Sequence, residues 1–549
     1  MKGAGHVLTK LTEQELSVIS SNNGLQRYLE SLLVGRKATP RSWLYEQISA
    51  EEVLAEWENH LAVLREGSAT DREVYQFDTL QKKKWGPQGE VRPIGELMEI
   101  VERGFGESPT PKAFSDPLWA FAKEIVHEKL VYCGCVSLRP ASYQRVVDDM
   151  RARDTLESNS GWPLFTRRNK PEVVKQSIAD AESGAWKDYP AIALFRNYNL
   201  KTRLVWMYPM STNIVEGSYF QVLQSAIVKS GARFTAPWIG FEAVRSVVSN
   251  SFDFGWFLSA SDFSETDEHF KLAATEQVAD VLEKCFQQRF RPGLRESLRH
   301  MNTIPLVIGP EQKVVGGHGV SSGSNWTNFV ETIFDWILAY YVLFKQSGLD
   351  WTARKAAMYA PSGIYVPENV SHQGLYAIGD DMTWVSGKYD KDFADFLERI
   401  GESVGMKIKA EKATNEPDKL VSLQRLFIRG YRRPDGQIRA VYPTIRALKS
   451  SVYPERFHDP RLWSSDMFCA RQYMILENCV DHPLFEEFVE FVVAGQKDLI
   501  PFAKQSKAKL DQTLRKSRLL PGLNPTYNQE RRDSSLDSFA SIKFVREHL

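Results

Sequence analysis

The amino-acid sequence predicts a mixed α/β fold of the α+β kind, spread over several subdomains, and three observations lead there. At 549 residues the chain exceeds the size at which one hydrophobic core stops growing. A strand, a turn and a helix follow one another between Phe254 and Phe290. Two short apolar runs then flank a polar tight turn at Gly379-Asp380-Asp381, which is the pattern of a hairpin. Apolar residues at 43% and charged residues at 25% are near the globular average, so wholesale disorder is excluded.

Along the chain, the first hundred residues alternate helical segments, such as Glu13 to Leu33, with polar breaks that include Lys82-Lys83-Lys84-Trp85-Gly86-Pro87. From Val131 to Ser251 basic residues recur among aromatics and strand-like runs, as a surface handling polyanions would require. Phe254 to Ser261 reads as a buried strand. Glu268 to Phe290 reads as a helix with Ala274, Val278, Val281 and Cys285 on one face, ended by Pro292-Gly293. Gly316 to Gly323 is a loop of glycine and serine that feeds a helix from Thr327 to Gln346, whose Phe329, Ile333, Trp336, Tyr340 and Phe344 have helical spacing. Asp392 to Val404 has the pattern of an amphipathic helix. The chain from about Tyr431 is helix-rich and ends in a basic tail from Lys504 to Leu549, for which solvation is the default reading.

Basic and acidic residues balance at 69 each, which excludes a uniformly basic nucleic-acid coat and makes any nucleic-acid surface local. Five cysteines, an odd number, point to a reducing compartment. Cys133 and Cys135 lack a second ligand pair at zinc-site spacing and read as small buried residues. Met1 to Gln14 has no apolar core of signal-peptide length, and the apolar run Trp336 to Phe344 falls well short of the roughly 20 residues that span a bilayer. A soluble intracellular protein without a membrane partner is expected.

The residues that suggest chemistry are carboxylates. Phosphoryl transfer between nucleotides needs an activated oxygen nucleophile and a stabilised leaving group, which two divalent ions about 3.5 to 4 Å apart supply together. Magnesium takes several of its oxygen ligands from water and substrate, so two or three aspartates are enough. Asp262 at a strand end and Asp380 with Asp381 at a hairpin tip meet that demand. Each has a plainer reading: a solvated turn for Gly-Asp-Asp, helix capping for Asp262 and Asp267, and a connector for the Ser-Ser-Gly loop. Their order in one chain, in suitable secondary structure and below basic segments, favours the chemical reading.

That ordered series resembles the motifs of viral RNA-dependent RNA polymerases, most closely those of picobirnaviruses and the related partitiviruses. Ser261-Asp262-Phe263-Ser264-Glu265-Thr266-Asp267 is similar to the first palm motif, which implies that Asp262 binds metal and Asp267 senses the ribose 2′-hydroxyl. Ser322-Gly323-Ser324-Asn325-Trp326-Thr327 is similar to the second, implying nucleotide contacts from Ser322, Gly323 and Thr327. The family commonly has an asparagine four residues after this threonine, where this chain has Glu331, with an asparagine at Asn328 instead. Gly379-Asp380-Asp381 resembles the third motif, with Asp380 as the main metal ligand and Asp381 as a secondary one. Gly405-Met406-Lys407-Ile408-Lys409-Ala410-Glu411-Lys412 resembles the fourth, which implies a lysine that protonates departing pyrophosphate; Lys412 is the choice, Lys409 the rival, and an exposed surface lysine the plain alternative. Phe427-Ile428-Arg429-Gly430-Tyr431 is similar to the primer-grip region, with Arg429 as its basic residue. Upstream, Arg196, Lys201 and Arg203 resemble the fingers motif that holds the incoming triphosphate; on a strand, Lys201 and Arg203 share a face. Ser160-Gly161-Trp162-Pro163 with Arg167 and Arg168 resembles the template entrance.

The resemblance covers roughly Asn159 to Tyr431 and implies a right-hand polymerase fold. In that reading residues 1–110 form a helical extension bridging fingers and thumb, 111–250 the fingers, 251–430 the palm with a fingers insertion at about 291–315, and 431–549 the thumb and tail. It implies two Mg2+ or Mn2+ ions as cofactors, template and product RNA and ribonucleoside triphosphates as partners, capsid protein as a further candidate partner, and a place in the virion interior or host cytoplasm. A segmented double-stranded RNA genome is implied in the same way. Two other functions fit parts of the pattern: a reverse transcriptase-like palm polymerase, and a non-catalytic RNA-binding structural protein. Asp267 argues against the first and the complete set Asp262, Asp380 and Asp381 against the second.

Overall fold

Residues 6–346, 372–409, 413–520 and 535–549 are described by the computed structural model, and their contacts group the chain into two units. The first comprises Met1–Val34, Pro93–Leu194 and Leu204–Ser422; the second comprises Gly35–Arg92, Phe195–Arg203 and Leu423–Leu549.

The strands that matter for the site are, in chain order, β1 (His6–Lys10), β2 (Ala191–Tyr198), β3 (Lys201–Met207), β4 (Phe257–Asp262), β5 (Leu306–Val307), β6 (Gln312–Gly316), β7 (Gln373–Ile378), β8 (Asp381–Ser386) and β9 (Thr414–Asn415). One sheet has the order β1-β6-β5-β2-β3, with β2 and β5 parallel. The other is antiparallel in the order β7-β8-β4-β9. Its central strands β8 and β4 read as apolar runs because they are covered: Leu258, Met382, Trp384 and Val385 are all buried.

Behind this second sheet lies the helix Trp326–Lys345, which packs on β7 and on the helix Pro117–Tyr132. It is apolar almost all round and is correspondingly buried on nearly every side. Trp119, Phe270, Phe329 and Phe334 meet there in the largest hydrophobic cluster, which gives the strand ends a rigid backing.

Two helical expectations need correction. Glu13 to Leu33 is two helices, Glu13–Ser20 and Asn23–Val34; Thr12 and Glu15 form a capping box at the first, and Asn22 restarts the chain by accepting the Leu25 N–H at 3.1 Å. Glu268 to Phe290 is likewise broken, into Thr266–His269, Leu272–Leu282 and two short 3₁₀ turns. Pro292-Gly293 does not end it. Pro292 sits in the first turn of a new helix, Arg291–His300, where a missing N–H costs nothing.

The second unit is helical. Its core holds Trp57, whose indole N–H donates to Thr444 Oγ1 at 2.8 Å while its ring packs on Phe488 and Phe491. The C-terminal stretch is not a solvated tail: helices Lys507–Ser517 and Ala540–His548 bury Leu510, Ile542 and Val545, and the Glu477 carboxylate accepts from the Ala540 N–H at 2.9 Å. Arg515 and Lys516 remain exposed on the first of these helices. Cys135, Cys285, Cys469 and Cys479 are buried and Cys133 is half-buried, as small core residues would be. Among the described residues no helix is long and apolar enough to cross a membrane.

Candidate active site

The antiparallel sheet assembles the acidic residues by register alone. β4 pairs with β8 from Phe257↔Ser386 to Asp262↔Asp381, so these two aspartates end neighbouring strands directly opposite one another. β7 and β8 close at Ile378↔Asp381, leaving Gly379 and Asp380 as the turn. Gly379 has φ +57°, which a glycine adopts without strain, and its N–H donates to Thr332 Oγ1 at 2.9 Å, tying the turn to the helix behind. The Phe263 N–H donates to the Asp380 carbonyl at 3.2 Å and fixes the turn from the other side.

As a result Asp262, Asp380 and Asp381 each present a carboxylate oxygen within 4.8 Å of the others. Burial, then the charges of Asp380 and Asp262 and a hydrogen bond with Asp262, push the Asp381 carboxyl well above the usual carboxylate range. Like charges this close favour either a shared proton or a bound cation. An oxygen-only donor set of this kind suits a hard divalent ion such as Mg2+ or Mn2+.

Two further acids lie beneath. Glu331 (6% exposed) and Asp335 (0%) are one turn apart on the Trp326–Lys345 helix, and among the described residues Glu331 Oε1 and both Asp335 carboxylate oxygens have no hydrogen-bond partner. Glu331 is raised by burial and then by Asp267 and Asp380; Asp335 by burial and then by Glu331, Asp380 and Asp381. A side chain placed on Gly379 would meet both Asn328 Nδ2, at 3.2 Å, and Glu331 Oε2, at 3.4 Å, so both residues face the turn. The sequence reading flagged Glu331 only as a departure from a pattern and missed Asp335. An acidic pair four apart within an otherwise apolar helix was the available signal.

The serine and glycine loop is held by close approach and by a buried acid. A Cβ on Gly323 would lie 1.8 Å from the Trp206 carbonyl oxygen, so only glycine fits there. Ser322 is exposed and its hydroxyl accepts from the Trp206 N–H at 3.0 Å. The Thr327 hydroxyl donates to the Ser321 carbonyl at 2.5 Å, and the Asn328 carboxamide oxygen accepts from the Trp238 indole at 3.1 Å. Glu216, from the helix Met210–Ser230, accepts from the Asn325 N–H at 3.0 Å, from Asn213 Nδ2 at 2.9 Å and from the Ser324 hydroxyl. Burial raises its carboxyl to about 7 against those hydrogen bonds. No motif reading singled out Glu216; its signal was a lone charge in the run Asn213-Ile214-Val215-Glu216-Gly217.

Other expected contacts are distributed differently. Asp267 is exposed on the short helix Thr266–His269. Ser160 and Trp162 are buried, and the Ser160 hydroxyl accepts from the Thr166 N–H at 3.1 Å. Gly161 is also buried. Arg168 donates to the Asn159 carbonyl at 3.0 Å and to Asn213 Oδ1 at 2.9 Å, while Arg167 is exposed beside Glu157 at 3.7 Å. Of this group only Arg167 presents its charge to solvent.

In the second unit Arg196 makes a two-pronged pair with Glu455, both hydrogen bonds 2.7 Å. Lys201 and Arg203 are exposed on one face of β3, with the Arg203 guanidinium 5.0 Å from the Tyr198 ring. Arg429 is half-buried just after the strand Arg425–Ile428. Lys409 is half-buried, and Lys412 lies outside the described residues.

A family model for the viral RNA-dependent RNA polymerases matches residues 199–450. The chain is 26% identical over 500 residues to a potential RNA-dependent RNA polymerase of human picobirnavirus (strain Human/Thailand/Hy005102/-), covering 87% of this chain and 86% of that protein. The crystal structure of the RNA-dependent RNA polymerase of a human picobirnavirus shares its fold with a TM-score of 0.78 at 20% identity, covering 98% of this chain and 100% of that one. The insertion loop deletion mutant of a human picobirnavirus polymerase gives 0.75 at 21% identity over 98% and 100% of the two chains. Over residues 199–450 the chain thus matches the viral RNA-dependent RNA polymerase family, and it is similar to the polymerases of the picobirnaviruses in sequence and in fold.

Proposed function

We propose that this chain copies viral RNA from ribonucleoside triphosphates by nucleotidyl transfer at two divalent ions, with Asp262 and Asp380 as principal ligands and Asp381 as a secondary one. The observation that carries the proposal is the register Asp262↔Asp381 beside the Gly379-Asp380 turn, which gathers three carboxylates within 4.8 Å. Two ions bound there would lower the barrier by activating the 3′ oxygen and by neutralising the pyrophosphate leaving group. The new bond joins the 3′ oxygen to the α-phosphorus, and the bond from that phosphorus to the bridging oxygen breaks. Register and backing helix hold the carboxylates in place before substrate arrives, so little reorganisation is needed.

By the likeness of the motifs, Asp267 is assigned to the ribose 2′-hydroxyl, Ser322, Gly323, Thr327 and Asn328 to the nucleotide, Lys201 and Arg203 to its triphosphate, Arg167 to the template and Arg429 to the primer strand. Lys412 is assigned to protonating the departing pyrophosphate. Arg196, bound to Glu455, acts by fixing the hairpin that carries the other two cations. The division into extension, fingers, palm and thumb, a segmented double-stranded genome, capsid protein as partner and a site of action in the virion or host cytoplasm rest on the likeness to picobirnavirus polymerases.

The test is incorporation of labelled ribonucleotides on a defined single-stranded RNA with Mg2+ or Mn2+. Template-dependent product is expected from the parent, with at least a hundredfold loss in Asp380→Ala and little change in RNA binding. Undiminished synthesis by that variant would remove the metal assignment, and equal use of deoxynucleotides would remove the role of Asp267.

A further inference from the structure

Asn328 stands where the Trp326–Lys345 helix meets the catalytic turn, and one neighbour decides which end of its amide faces that turn. A carboxamide has an acceptor end and a donor end of nearly the same size, so packing cannot choose between them and hydrogen bonding must. The Trp238 indole N–H donates to Asn328 Oδ1 at 3.1 Å. An indole is a donor only, so Oδ1 has to be the end that meets it. Nδ2 is thereby turned the other way and lies 3.2 Å from the position that a Cβ on Gly379 would take.

Both partners are held. Trp238 is half-buried on the helix Ala236–Ile239, which packs on β7, and its ring runs parallel to that of Phe329, with centroids 5.3 Å apart and planes at 7°. Phe329 is fully buried and follows Asn328 in the chain, so the ring stack and the hydrogen bond fix Trp238 against two successive residues of one helix. The Asn328 backbone is tied to the turn as well: its carbonyl accepts from Thr332 Oγ1 at 2.7 Å, and that same oxygen accepts the Gly379 N–H at 2.9 Å.

Nothing in the protein takes up the donor so presented. Asn328 is exposed, and among the described residues its Nδ2 donates to no acceptor. Beside it are the Gly379-Asp380 turn and Glu331, whose Oε2 is 3.4 Å from the same Gly379 position. Of the acceptors on an incoming nucleotide, the phosphates carry charge that these acids repel unless a cation stands between. A sugar hydroxyl is neutral, and it can accept from Nδ2 while donating to a carboxyl oxygen. The hydroxyl that sets a ribonucleotide apart is the 2′-hydroxyl. A deoxynucleotide would leave the amide donor unpaired, and a site built to bond a substrate hydroxyl rejects the analogue that lacks it.

We propose that Trp238 is a positioning residue for sugar selection: by holding Oδ1 it turns the Asn328 amide donor toward the 2′-hydroxyl of the incoming ribonucleotide. The inference rests on the polymerase reading above and adds to it a residue that none of the motifs contains.

Rates of incorporation of CTP and of 2′-deoxy-CTP by the full-length protein on one RNA template test it. The preference for the ribonucleotide is expected to fall about fivefold or more in Trp238→Phe, which keeps the stack on Phe329 and deletes the N–H, while the thermal midpoint stays close to that of the parent. Asn328→Ala should lose the preference to a similar degree, and adding Trp238→Phe to it should change nothing further, because both act through one amide. Parent-like preference in Trp238→Phe overturns the inference, as does a further loss in the double variant, which would mean that the indole acts elsewhere. Equal loss of rate with both nucleotides in Trp238→Phe would mark a packing role and overturn it too. A parent that makes no product brings down the polymerase reading by itself, and the dissociation constants of the two nucleotides then decide: a preference for CTP that Trp238→Phe removes supports the role of Trp238, and equal affinity of the parent for both overturns it.

Discussion

Glu216 illustrates how a single buried side chain can hold a functional loop at an electrostatic cost. Its carboxyl is desolvated, yet it accepts hydrogen bonds from Ser324, Asn325 and Asn213, which fixes the segment that follows Gly323. Its pKa is about 7 in the folded chain and near the ordinary glutamate value when unfolded, so between those values the native state binds more protons. Stability from this group is therefore full at low pH, falls as pH rises toward about 7 and is flat beyond, by about 3 kcal/mol at most. Glu216→Gln removes that slope. Chemical denaturation of parent and variant from pH 5 to 8 should give a difference that moves in favour of the variant up to about pH 7 and then levels; a pH-independent difference would refute the raised carboxyl. Glu331 and Asp335 are raised in the same sense by burial and neighbouring acids, but no sequence pattern distinguishes a buried glutamate from a solvated one.

At the scale of elements, the hairpin β7–β8 and the helix Trp326–Lys345 work as one device. The helix supplies the apolar wall for the strands and, through Thr332 Oγ1, the acceptor for the Gly379 N–H inside the turn that carries Asp380. Thr332→Val keeps the shape and deletes that acceptor, leaving a buried N–H unsatisfied at about 1–3 kcal/mol. The expected outcome is a lower thermal midpoint and at least a tenfold loss of nucleotide incorporation, with Thr332→Ser close to the parent in both. Full activity in the valine variant would show that the turn keeps its geometry without the helix. Hairpin and helix were both legible from periodicity, because burial on one or more faces imposes a period on the residues. The breaks at Ser21-Asn22 and Phe270-Lys271 were not, since each is decided by a local cap or turn inside a stretch with acceptable helix propensity.

At the scale of the molecule, the two units have separate cores and should respond separately to damage. In the second, Asp78 is fully buried and accepts from the Thr444 N–H at 3.0 Å, the Ile445 N–H at 2.9 Å and the Thr444 hydroxyl, while His482 Nε2 lies 2.8 Å away. Asp78→Ala strands all of these groups, a loss of about 3–5 kcal/mol. Hydrogen exchange should report lost protection within 35–92 and 423–520, with the β4, β7 and β8 amides keeping theirs. Equal loss in both units would mean that the chain unfolds as one body. The terminal helices belong to this picture: Glu477 caps Ala540–His548, so a stretch that composition alone assigns to solvent is part of the second core.

By itself the sequence determined the mixed α/β class, the order of the motifs and the identity of Asp262, Asp380 and Asp381, because strand periodicity, turn chemistry and residue type are local properties written in consecutive residues. The tertiary structure decided the rest: the burial of Glu331, Asp335 and Glu216, and the commitment of Arg168 and Arg196 to internal partners. Those depend on chain segments 45 to 259 positions apart, and desolvation and charge pairing exist only once such segments are packed together.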